Sequence, residues 1–199
     1  MGDWNEADSI DVAIALDGWR PTLGTRRTGD RNTSPRVVLA GGELVQLQTT
    51  APASWHFSEA FGTQTIAEIP FTETILMAQH LRVREIHNYL NETSLRDVRD
   101  PATGEPAAAD ERGRSDQRFL IEVVVRNGSA ERRLHASGRD IHAITAPLVV
   151  EVLERVRAAR TVRSGAFAPG LIEGATHLLA ALERRGDLRL SGRETLEGR

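Results

Sequence analysis

Two alternating runs, Arg118–Arg126 and Ala130–Ser137, meet at Asn127-Gly128, and the hydrophobic period then changes. The runs predict paired strands joined by a tight turn, and this pairing constrains the fold more than any other feature. Downstream, Leu148, Val149, Val152, Leu153 and Val156 recur on one face of a helix predicted over Pro147–Arg157. The junction between the two regimes is Gly138-Arg139-Asp140-Ile141-His142-Ala143-Ile144-Thr145-Ala146-Pro147. Such strand-to-helix junctions gather backbone N–H groups and short polar side chains within reach of a ligand.

Other segments add strands more than helices. Ser9–Leu16 alternates, with Ile10, Val12, Ile14 and Leu16 on one side. Arg36–Ala40 and Glu43–Leu47 flank Gly41-Gly42 as a hairpin, and Trp55–Phe57, Thr65–Ile69 and Val83–Leu90 read as further strands. Thr25 is the expected cap of a short arginine-rich helix, and Thr72 of a helix through Leu81. Thr145 is the expected cap of the Pro147 helix, and a last helix is expected over Leu171–Arg184, with Leu171, Ala175, Leu178 and Leu182 inward and Gly186 stopping it. Asn91–Gln117, rich in polar residues and broken by Pro101, Gly104, Pro106 and Gly113, reads as one long polar loop.

The expected class is therefore α+β: a mixed, largely antiparallel sheet with helices packed on one face, forming a single domain over residues 1–199. A sheet with one apolar face uncovered buries it against another subunit or domain, so a homodimer is expected.

The chain has no cysteine, which excludes disulfides and thiol chemistry. All 25 basic side chains are arginine, so no lysine is present for Schiff-base chemistry, and every cationic side-chain contact short of a protonated imidazole is a guanidinium. A net charge of −3 gives no reason to expect nucleic acid or an anionic membrane as partner. No apolar run approaches the roughly 18–20 residues that span a bilayer, and the polar, acidic start at Met1-Gly2-Asp3-Trp4 is unlike a signal peptide. A cytoplasmic location is the expectation. No glycine-rich phosphate loop, nucleophile elbow or zinc helix occurs, and the His80/His87 and His135/His142 spacings match no ligand pattern.

The order of four segments resembles the carboxy-terminal domain of saccharopine dehydrogenase-like proteins: Gly24-Thr25-Arg26-Arg27-Thr28, Phe71-Thr72-Glu73-Thr74, Gly113-Arg114-Ser115, and Gly138 through Pro147. The similarity covers most of Asp11–Val156. It implies a substrate-binding and dimerisation domain of an NAD(P)-dependent oxidoreductase, with the dinucleotide held by a Rossmann domain in cis or in a separate chain. No cofactor is expected to bind this chain alone. His142 stands where the family more often has tyrosine, and an imidazole titrates far below a phenol.

On that resemblance the expected catalytic pair is Asp140 and His142, the carboxylate orienting the imidazole as a proton donor. The same Asp140 also fits a cap on the strand-end turn. Thr25, Arg26, Arg27, Arg114, Ser115, Arg139 and Thr145 are the expected substrate contacts, the arginines suiting an anionic group. The second reading is a non-catalytic small-molecule-binding or assembly module.

Overall fold

The computed structural model describes residues 4–49, 51–58, 61–158, 165 and 175–196. Within them the chain runs β1 (Ala7–Asp17), α1 (Leu23–Arg31), β2 (Val37–Ala40), β3 (Glu43–Gln46), β4 (Ala53–Phe57), β5 (Gly62–Glu68) and α2 (Thr72–His80). It continues through β6 (Val83–Asn91), α3 (Glu92–Arg99), β7 (Arg118–Asn127), β8 (Ala130–Arg139), α4 (Thr145–Ala158), α5 (Ala175–Arg184) and β9 (Arg189–Leu196). These five helices and nine strands, counted among the described residues, make an α+β fold around one open sheet.

The sheet is ordered β3-β2-β6-β1-β7-β8-β9, with β4–β5 branching from β6. Only β1 and β6 pair in parallel among the described strands, Ile10 opposite Ile86 and Ile14 opposite Leu90. Both predicted hairpins form, the second turning at Gly128-Ser129 because Asn127 still pairs with Ala130. Gly41 and Gly42 both hold positive φ (61° and 84°), the backbone that a two-residue hairpin turn demands.

The period of two in β1 sorts the core. Ile10, Val12 and Leu16 face α2 to α5, where they meet Met77 of α2 and Leu81 just after it, Leu95 of α3, Leu148 of α4 and Leu182 of α5. Ala13 and Ala15 face the other way, packing with Phe57, Ile66 and Leu120. That second face is covered by the β4–β5 ribbon rather than by a helix. Beneath the ribbon lies Glu122 of β7, 0 % exposed. It accepts hydrogen bonds from the Trp55 indole N–H (3.0 Å), the Ser58 amide (2.7 Å) and Arg133 (2.8 Å). Burial alone would raise its pKa; the bonds from Ser58 and Trp55 and the Arg133 charge outweigh burial and hold it below the ordinary carboxylate range.

Several local expectations need correction. The cap of α1 is Thr22, whose hydroxyl accepts from the Thr25 amide at 3.1 Å, so Thr25 lies inside the helix. Phe71, not Thr72, precedes α2, and Thr145 is the first residue of α4 rather than its cap. The segment 91–117 is not all loop: Asn91 ends β6 and α3 follows at once. In α5, Leu178 and Leu182 are buried while Ala175 is exposed, and Leu171 lies outside the described residues. β9, which no alternation announces, closes the sheet beside β8.

Candidate functional site

The carboxyl ends of β1, β6 and β8 and the start of β7 share one end of the sheet, since Asp17 lies opposite Arg118 and Arg118 opposite Arg139. At this rim the chain leaves β8 through Asp140, a non-glycine residue at φ 53°. Left-handed backbone at such a residue needs compensating bonds. They are present. The Asp140 carboxylate accepts from the amides of Ser115 (2.8 Å), His142 (3.1 Å) and Ala143 (3.2 Å). Partial burial would raise its pKa, yet these bonds hold it below the ordinary value. Gln117, 2 % exposed, completes the clasp: its carbonyl accepts from the Asp140 amide (2.7 Å) and its side-chain oxygen from the Ile141 amide (2.8 Å).

The clasp joins two of the singled-out segments, Gly113-Arg114-Ser115 and Gly138 through Pro147. Arg139 also donates to the Ser115 carbonyl at 3.1 Å. Asp110 binds Arg114 through its Nε (2.7 Å) and accepts from the amides of Arg112 and Arg114, both at 3.0 Å. The result is a pocket of about 160 Å³ lined by Arg112, Arg114, Arg139 and Arg185 with Asp187. Ala143, Ile144 and Pro147, from the turn into α4, form its apolar wall.

The expected pairing of Asp140 with the His142 imidazole is not what the geometry shows. Both carboxylate oxygens are occupied by backbone N–H groups, so Asp140 acts as the turn cap. The His142 side chain is exposed and has no hydrogen-bond partner among the described residues. Thr145 is exposed at the start of α4. Arg26 is committed elsewhere, donating to the carbonyls of Val98 (2.7 Å), Asp100 (3.0 Å) and Thr103 (2.7 Å), and so ties α1 to the end of α3. Arg27 is exposed on α1. The structure thus brings Arg114, Ser115, Arg139, Asp140 and His142 together, while Thr25, Arg26 and Arg27 belong to the α1 corner.

Sequence reasoning missed Arg112 and Arg185, which complete the pocket. Arg112 sits one turn of loop before Arg114, and Arg185 reaches the site only because α5 docks beside β8. No local pattern marks either one. A second cleft at the same rim, about 400 Å³, is lined by Asp17, Gln64, Asn91, Glu92 and Arg96 among others. Its buried Asn91 is saturated by Leu16, Gln64 and Ser94. Among the described residues, no group of three or more His, Asp or Glu side chains could hold a metal ion, and no helix is long and apolar enough to cross a membrane. No known family model matches the chain, and no curated protein matches it.

Proposed function

We propose that this chain is the substrate-binding and dimerisation domain of a saccharopine dehydrogenase-like, NAD(P)-dependent oxidoreductase, its dinucleotide held by a Rossmann domain outside the chain. One observation carries the reading. Segments 25 residues apart, Gly113-Arg114-Ser115 and Gly138 through Pro147, interlock through Ser115 and Asp140 (2.8 Å) into one arginine-lined pocket. Guanidiniums at such a site orient an anionic substrate, and the nicotinamide would be presented from the Rossmann domain. The dimerisation role rests on the resemblance alone, since the β4–β5 ribbon already covers the sheet face opposite the helices.

Within this division of labour the chain binds and orients. Asp140 is a positioning residue that fixes Ser115 and the turn into α4. His142, exposed beside the pocket, is the imidazole available at this rim for proton transfer. Titration of NADPH and NADH into the isolated chain tests the reading. No binding is expected at micromolar concentrations of either, and micromolar affinity would contradict it. Light scattering should give about twice the 21.9 kDa chain mass, and a mass of one chain would remove the dimerisation role.

A further inference from the structure

The pocket at the end of β8 is built from two Arg–Asp–Arg triads. Asp187, with a side chain only 6 % exposed, bridges Arg112 and Arg185, each at 2.9 Å. Asp110 bridges Arg114 at 2.7 Å and Arg139 at 3.9 Å. Each triad carries one more positive charge than it neutralises, an excess of two that the adjoining Asp140 carboxylate, already bonded to three amides, reduces to one. The aspartates also hold the guanidiniums in place, and pre-placed donors bind a ligand without losing further side-chain freedom. Each guanidinium has five N–H donors, and the Nη groups of Arg114 and Arg185 have no hydrogen-bond partner among the described residues.

Two further features point to an anion. The amino-terminal end of the 14-residue α4 lies at the apolar wall and adds the positive end of its dipole. That wall also excludes water from one side, which strengthens the attraction. About 160 Å³ has room for one tetrahedral head group.

We propose that this pocket is a binding site for a compact dianion, a phosphate group either free or as the head of a monoester. That the occupant belongs to the oxidoreductase substrate rests on the function proposed above; the preference for a dianion rests on the triads alone.

Calorimetric titration of inorganic phosphate at pH 7.5 and low salt tests the site, with methyl phosphate and acetate as further arms. Phosphate should bind at least tenfold more tightly than acetate. Arg112→Ala and Arg185→Ala, at side chains about half exposed, should each weaken phosphate about tenfold or more without lowering the melting temperature appreciably. Arg99→Ala, on the exposed side of α3, should leave binding unchanged. Equal binding by methyl phosphate assigns the site to a monoester head, and its exclusion to free phosphate. Equal affinity for acetate and phosphate, indifference to Arg112 and Arg185, or no phosphate binding would overturn the proposal. Phosphate binding at these arginines together with micromolar NADPH affinity in their absence would keep the site and defeat the oxidoreductase division of labour.

Discussion

Replacing Glu122 by leucine removes the acceptor shared by the Trp55 indole, the Ser58 amide and Arg133 while keeping a side chain of similar volume. Two partly buried N–H donors lose their partner, at about 1–2 kcal/mol each. Arg133 contributes little, because its side chain is 32 % exposed and its charge returns to water. The expected loss is about 3 kcal/mol, a large part of the roughly 5–15 kcal/mol that holds a domain folded. For a chain of this size that corresponds to a melting temperature lower by about 9 °C. The acid limb gives an independent check. Glu122 has a folded pKa below its unfolded value, so its contribution is full above about pH 4.3 and is lost as pH falls through the folded value. Glu122→Gln should therefore flatten the fall in stability on acidification. Thermal melts of both variants between pH 3 and 7 measure this. A Glu122→Leu melt within about 2 °C of the parent, or an acid limb unchanged in Glu122→Gln, would show that the Glu122 carboxylate does not hold the ribbon to the sheet.

Three further outcomes follow from local geometry. A β-carbon on Gly138 would stand 2.8 Å from two Phe119 ring carbons and 3.1 Å from the Asp187 carbonyl, so Gly138→Ala should cost about 1–3 kcal/mol in chemical denaturation, and Phe119→Leu should recover part of it. Asp140→Ala loses three amide bonds and places alanine at φ 53°, so it should cost about 2–4 kcal/mol. His142→Ala should stay within about 0.5 kcal/mol; equal costs for the two would contradict the cap assignment. Arg26→Ala frees three carbonyls and should speed amide exchange in α1 and residues 98–103 while leaving β1 and β7 protected.

The parts of the fold legible in the sequence are those written in short range. Gly41-Gly42 and Gly128 announce their hairpins because the turn backbone itself needs glycine there. The change of period after Ser137 marks the strand-to-helix junction for the same reason. What the sequence hides is tertiary. α3 is a polar eight-residue helix whose buried residue is Ser94, so no apolar stripe reveals it. Val149 and Leu153 continue the α4 stripe yet stand exposed, 57 % and 55 %. Glu122 looks like an outward strand residue until the β4–β5 ribbon folds over it. At the site, Arg114, Ser115, Arg139 and Asp140 are legible as neighbours of turns. Arg112 and Arg185 are not, because Asp187 joins them only after α5 docks.

The proposed anion site occupies the rim at the end of β8. A ¹⁵N chemical-shift titration of the chain with inorganic phosphate, following backbone amides and arginine Nε–H groups together, maps that site residue by residue. Shifts are expected only at Arg112–Ser115, Arg139–Ala143 and Arg185, with Ser58 and Glu122 on the opposite face unmoved. Shifts centred on the α1 arginines or on the face under the β4–β5 ribbon, with the rim silent, would contradict that assignment.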